Sequence, residues 1–314
     1  MAASWCALSV DLDEISHYRS AHGLAPAERS AHAVYDVALE RVADFAATER
    51  LPVTLFAVGQ DLERPAAAAR LARCAAAGLP VENHSMRHRY DLTRLGRQRL
   101  QAEVLEGHRA IERCTGRAPV GFRAPGYTVS DELLDVLDQA AYRFDSSVFP
   151  CPPYYAAKAL VMAGMRLAGR RSAAVLDTPQ VWRAPRQPYR PSRPWFRPGG
   201  TGLVELPILV TPRLRLPVIG TSLALAGPRL ARAILRRCRS LPFVGLELHG
   251  IDFLEAADGL RDLARVQVDL RIPVTSKLAV LRAVLAELRD AGRRFATLAE
   301  VAEALPASGG DQPA

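Results

Sequence analysis

Ala7-Leu8-Ser9-Val10-Asp11-Leu12-Asp13-Glu14 is an apolar run that reads as a buried strand ending in two carboxylates spaced i, i+2. Alternation along a strand puts Asp11 and Asp13 on the same side. Acids at a strand end are common, so the pair alone does not mark a site. Further strand-like runs at 53–58, 79–83, 120–123, 142–145, 203–209, 243–249 and 294–297 follow the first, which spans 4–11. Helix-like runs at 28–49, 61–77, 93–114, 130–140, 227–240 and 276–291 alternate with them. Repeated βα units predict a parallel sheet whose catalytic residues sit at the carboxyl ends of strands.

Several of these ends carry chemistry. Glu82-Asn83-His84-Ser85-Met86-Arg87-His88 places two imidazoles four residues apart. Four residues is about one helical turn, which predicts that both rings face one point. Neutral imidazoles suit a divalent transition metal, with zinc the default, and a third ligand is then needed. The Asp11/Asp13 pair is the best source of it. Alone, His-x-x-x-His also describes a surface or capped helical turn. Gly121-Phe122-Arg123-Ala124-Pro125-Gly126-Tyr127 precedes the helix-like run near 130–140, and Tyr142-Arg143-Phe144-Asp145-Ser146-Ser147-Val148-Phe149-Pro150 comes after it. Phe243-Val244-Gly245-Leu246-Glu247-Leu248-His249-Gly250-Ile251-Asp252 reads as a buried strand ending in a histidine.

In this order the pieces resemble the polysaccharide deacetylase family, the NodB-homology (carbohydrate esterase family 4-like) hydrolases that remove N-acyl groups from sugars. The Asp-x-Asp start is similar to one branch of it. The resemblance runs from about Cys6 to Ala304 and implies a distorted (β/α) barrel, usually of seven strands. It implies Asp11 as general base and Asp13, His84 and His88 as metal ligands. Leu12 separates two acids that are adjacent in many members, so those aspartate roles stay exchangeable. Arg123 corresponds to the arginine that braces the base, and Pro125, Gly126 and Tyr127 to the oxyanion and substrate loop. Tyr127 stands where the family usually has glycine. His249 matches the general acid. For the carboxylate that orients it, Glu205 is the preferred choice, with Asp177 and Asp252 behind it.

The implied activity is metal-dependent removal of an N-acyl group, acetyl first, from an aminosugar-containing substrate. An amide is a poor electrophile with a poor leaving group, so its hydrolysis benefits from a Lewis acid, an activated water and a proton donor. A deformylase of a polyprenyl-phosphate-linked aminosugar and a non-catalytic glycan-binding member are the alternatives. Ser85 reads as loop support. His17, His22 and His32 read as solvated residues of a loop at the rim, with substrate contact by His17 or Tyr18 as the alternative, and His108 as a surface residue.

The 314 residues, about half apolar, suffice for one large core. One domain is expected over 1–305, with 306–314 a disordered tail. Within it, 151–202 breaks the pattern: an apolar helix from Tyr154 to Gly169 precedes a Pro- and Arg-rich stretch. It reads as an insertion over the barrel mouth, or as a covering helix plus an irregular linker. The formal net charge of +8 is nearly all arginine, Lys158 and Lys277 being the lysines. Such charge favours an acidic or phosphate-bearing substrate, while Arg232, Arg236, Arg237 and Arg239 read as a solvated helix face. No nucleic-acid motif or aromatic interleaving accompanies it, so nucleic acid is not an expected partner. Five widely spaced cysteines without a CxxC pair read as reduced core thiols. No secretory signal precedes the first strand and no run of 18 apolar residues spans a bilayer. The expected location is therefore cytoplasmic, and the expected substrate a glycan precursor, a sugar nucleotide or a lipid-linked sugar. Helices at 154–169 and 221–238 leave peripheral membrane contact open, though core-facing helices have the same pattern.

Overall fold

The computed structural model describes residues 4–25, 31–167, 169, 172–176 and 179–305, so Asp177 and the expected tail at 306–314 lie outside the described residues. In chain order the elements are β1 (Trp5–Asp11), α1 (Ile15–Ala21), α2 (Leu39–Glu49), β2 (Val53–Ala57), α3 (Pro65–Ala76), β3 (Val81–Asn83), α4 (Arg97–Thr115), β4 (Gly121–Phe122) and α5 (Asp131–Gln139). They continue as β5 (Phe144–Asp145), α6 (Pro152–Leu167), β6 (Val204–Glu205), α7 (Gly220–Arg237), β7 (Phe243–His249), α8 (Val274–Asp290), β8 (Arg294–Phe295) and α9 (Leu298–Ala304).

The strands form one parallel sheet in the order β6-β5-β4-β3-β2-β1-β7, with β8 added beside β1. The chain beyond β6 bridges the gap between the two ends of this path. Ile208 N–H donates to Val148 C=O at 2.9 Å, Leu209 N–H to Gly245 C=O at 3.2 Å, and Ile219 pairs with Glu247. The alternating pattern predicts the parallel sheet, and its curl into a distorted (β/α) barrel of seven strands, with β8 beside β1, is what the resemblance implies.

Strand alternation divides β1 between two environments. Cys6, Leu8 and Val10 enter the outer core, together with Leu39 and Val42 of α2, Leu71 of α3, Leu235 of α7 and Val284 of α8. Ala7 faces the interior with Phe56, Phe144, Val204, Leu206 and Phe243, and α9 plugs that end with Leu298, Val301 and Ala302. Burial of each such side chain is worth roughly 1.5–3 kcal/mol. Toward the opposite end the interior turns polar, because the register sets Ser9 beside Glu247 and Asp11 beside His249.

Some expectations change. The segment after β1 is helical, not a loop: Glu14 caps α1, and its carboxylate also accepts the Val34 and Tyr35 amides at 3.3 Å. The helix expected from 227 begins at Gly220 and is broken at Gly227 (φ 70°) before Pro228, whose ring cannot sit inside a regular helix. Arg232, Arg236 and Arg239 are not merely solvated. They converge on the buried Glu287 of α8, with Arg236 Nε at 3.1 Å. Lys277 is buried, donating to the Ile251 and Leu254 carbonyls at 3.2 and 2.9 Å, and so ties the turn after β7 to α8. His108 is half-buried, its Nδ1 3.1 Å from the Tyr142 hydroxyl.

The 84–88 loop packs directly against α4. A Cβ placed on Gly107 would lie 2.6 Å from Asn83 Oδ1, 2.9 Å from the Ser85 carbonyl carbon and 3.0 Å from Met86 N. Two of these are backbone atoms that cannot rotate away. Gly107→Ala is therefore expected to destabilise the protein by about 1–3 kcal/mol in urea unfolding. Gly116→Ala, where a Cβ meets nothing but φ is 72°, serves as a comparison for backbone strain alone.

Candidate metal and catalytic site

The carboxyl ends of β1, β3, β4 and β7 bring Asp11, Asp13, His84, His88, Arg123 and His249 into one cluster. His84 and His88 do not share a helical turn. β3 ends at Asn83, and the chain then passes through left-handed residues at Ser85 (φ 69°) and His88 (φ 51°). Such backbone costs roughly 1–2 kcal/mol per residue and needs local support. Ser85 N–H donates to Asn83 Oδ1 at 3.0 Å, and His88 N–H to Ser85 Oγ at 3.1 Å. Met86 N–H donates to Glu103 C=O at 2.9 Å, while the Ser85 and Met86 carbonyls accept from Gly59 and Gln60.

The curled loop aims both imidazoles at Asp13. His84 Nε2 lies 3.1 Å from Asp13 Oδ1, and His88 Nε2 lies 3.1 Å from Asp13 Oδ2. His84 Nδ1 donates to the Arg123 carbonyl at 2.7 Å. In the neutral ring Nε2 then presents a lone pair to a carboxylate oxygen, a contact that requires a proton or a metal ion between them. Burial pushes the His88 imidazolium down to about 3, so this ring stays neutral, as a ligand must. Asp13, His84 and His88 can each turn one donor atom to a common point, and one carboxylate with two imidazoles suits a divalent cation.

Asp11 stands beside this trio, its Oδ2 3.8 Å from His84 Nε2. Burial raises its carboxyl, opposed by Arg123 and then His84. Arg123 is 1% exposed, and its guanidinium is spent within the site. Nη1 donates to Asp11 Oδ1 at 2.5 Å, Nη2 to the Ser9 and Ser146 hydroxyls at 2.9 Å, and Nε to Ser146 C=O at 2.9 Å. It also lies 4.2 Å over the Phe56 ring.

The acid against His249 is Glu247, two residues earlier on β7, with Oε1 2.9 Å from Nδ1. Tyr127 donates its hydroxyl to the same oxygen at 3.1 Å. Burial alone would raise Glu247, but His249, Arg123 and Tyr127 hold it below the usual carboxylate range. Burial opposes charge on His249 as well, yet Glu247, Asp13 and Asp11 lift it well above an ordinary histidine. Period-two alternation was the signal for Glu247: a strand that turns Leu246 and Leu248 outward turns Gly245, Glu247 and His249 inward.

Glu205 is placed elsewhere. It is the register partner of Asp145, accepts the Val148 amide at 3.0 Å, and adjoins Ser147, which donates to Asp145 at 2.6 Å. Burial raises both acids, Asp145 to about 6 although its hydrogen bond to Glu205 pulls it down, and Asp145 raises Glu205 further, the directions of a pair that shares one proton. Asp252 accepts the His249 backbone amide at 2.8 Å rather than its ring. In the Pro125–Tyr127 turn, Gly126 (φ 66°) packs on Tyr90, and Tyr127 N–H is already engaged by Ala124 C=O at 3.1 Å. His17 of α1 is not a solvated rim residue, since its ring lies 4.2 Å from that of His88, and Tyr18 lies 6.3 Å from His249.

Residues 33–144 match the family model of the polysaccharide deacetylases. Over 95 residues the chain is 38% identical to a chitooligosaccharide deacetylase of Sinorhizobium fredii, a match that takes in 30% of this chain and 42% of that relative's length. A Mycobacterium smegmatis structure assigned to the polysaccharide deacetylases superposes with a TM-score of 0.61 at 18% identity, over 99% of this chain and 96% of that one. A Bacillus anthracis family-4 pseudoenzyme, as a mutant with restored enzymatic activity, gives 0.51 at 13% identity, over 96% and 68% of the two chains. Likeness at such identities speaks to the fold. Residues 33–144 thus carry the sequence pattern of the polysaccharide deacetylases, and the whole chain shares the barrel of that Mycobacterium smegmatis structure.

Proposed function

We propose that this protein is a metal-dependent hydrolase that removes an N-acyl group, most simply acetyl, from an aminosugar-containing substrate. The observation that carries the reading is the facing of two clusters, Asp13-His84-His88 and Asp11-Glu247-His249, at the carboxyl ends of the barrel strands. In this reading Asp13, His84 and His88 hold a divalent cation, zinc being the first choice. When bound, it supplies Lewis acidity and a more acidic water.

Asp11 takes the proton of the attacking water. Arg123 fixes the angle of that carboxylate through Nη1 and keeps it charged inside the protein. His249, charged through Glu247, donates its proton to the departing sugar nitrogen. The Pro125–Tyr127 turn meets the developing oxyanion, with the Gly126 amide in place of the engaged Tyr127 amide. Tyr127 acts instead through its hydroxyl, which helps hold Glu247. The relative's name supports an N-acetylated oligosaccharide as the first substrate to try.

The test is metal content paired with acetate and formate release from N-acyl aminosugars, before and after chelation. The expected result is about one metal per chain, acetate release lost to chelator and restored by zinc. Formate release alone would name the deformylase, and stoichiometric metal without hydrolysis would name the binding protein. His84→Ala is expected to lose metal and activity together. Asp11→Asn is expected to keep the metal and lose about 10²–10⁴-fold in kcat; the reverse pattern for Asp11 and Asp13 would exchange their roles.

A second prediction separates the two candidate orienting acids. Glu247→Gln removes the charge that raises His249, so the alkaline limb of the kcat profile should move to lower pH, with kcat down at least about tenfold. Glu205→Gln should leave that limb in place.

A further inference from the structure

The charge of this chain is gathered in one segment. Residues 151–202 hold nine of the 41 basic residues (Lys158 and eight arginines) and one of the 33 acids, Asp177. That segment therefore carries +8, and the rest of the chain, with 32 residues of each sign, carries none.

The same segment contains α6, whose apolar side chains face the wrong way for an ordinary surface helix. Its inner side is aromatic and fixed: Tyr155 is buried, and the Tyr154 ring lies 5.0 Å from Phe149 and 5.8 Å from Tyr127. Its outer side exposes Leu160 by 75%, Val161 by 57% and Leu167 by 91%. Ala156, Ala157, Ala163 and Gly164 are exposed with them, as is Arg166. The stretch after α6 adds exposed Arg183 and Arg197, with Arg193 paired to Asp135 of α5, and is held to the same hydrophobic cluster as Tyr155 through Val181, Ala184 and Trp195.

We propose that α6 and the arginines that follow it seat the protein on an anionic bilayer surface. An exposed apolar helix face bordered by arginine is the chemistry that recognises acidic lipid, with the side chains entering the acyl boundary and the cations meeting headgroup phosphates. No described helix is long and apolar enough to cross a membrane, so the contact is peripheral. A second copy would bring another +8 to the same face and be repelled. Because Tyr154 on the inner side of α6 packs on Tyr127, the helix lies between the turn at the candidate site and the seated face.

Vesicle flotation of the full chain tests this without reference to hydrolysis. Binding is expected to vesicles containing about 30% phosphatidylglycerol and not to phosphatidylcholine alone, falling about tenfold or more between about 0.05 and 0.5 M salt. Leu160→Glu/Val161→Glu and Arg166→Glu/Arg197→Glu change exposed side chains, so the fold, checked by circular dichroism, should hold. Each pair should lower the bound fraction about tenfold. Failure to float with anionic vesicles at low salt, equal capture by phosphatidylcholine, or unchanged binding of both double variants would each overturn the proposal. A dimer in sedimentation that Leu160→Glu/Val161→Glu dissolves, without vesicle binding, would give the face to a second copy instead.

Discussion

Buried negative charge at the barrel mouth is the constraint on which the rest of the structure depends. Asp11, Asp13 and Glu247 are 1%, 5% and 1% exposed, and the Asp145–Glu205 pair adds a further charge close by. An isolated buried carboxylate costs several kcal/mol, so each must find a partner. Arg123 and His249 supply two positive charges against about four negative ones, and the proposed dication would bring the cluster near neutrality. Much of the local architecture serves this balance. The curled 84–88 loop, the stack of His17 on His88 and the guanidinium threaded between β1 and Ser146 all place positive or polarisable groups against those acids.

The parallel sheet was legible in the chain because its strands are short apolar runs separated by helices of ordinary length, while its closure into a barrel came from the motifs that carry the resemblance. β1 and β7 were clearest, since each is seven residues long and ends in a chemically distinctive side chain. Less of the site could be read, for two physical reasons. Four-residue spacing between His84 and His88 suggested a helical turn, whereas convergence comes from left-handed residues that spacing does not reveal. Glu205 looked suitable as a carboxylate at a strand end, but its neighbour is fixed by sheet register, which puts Asp145 beside it. Glu247 was visible through strand parity alone. His17 was hidden because a polar, histidine-rich stretch after a strand resembles a loop, and only the Glu14 cap makes it a helix.

The segment 151–202 shows how a barrel of this type acquires a second surface. Its inner aromatics belong to the hydrophobic cluster of α4 and α5, which anchors it to the helices it covers. Its outer face carries less of that packing and can be both apolar and basic. Separating anchor from surface lets the catalytic end keep its own charge balance while the exterior carries a strong field of one sign.

Lys277 has a practical consequence. Its ammonium lies inside the protein, donating to two carbonyls, with Asp269 3.4 Å away. A reagent in solvent that acylates side-chain amines therefore meets Lys158, the other lysine of the chain, on the helix beside Gly126. A fluorophore on Lys158 sits at the entrance to the barrel without a cysteine being introduced or a residue removed, and the native chain then reports on whatever approaches that entrance.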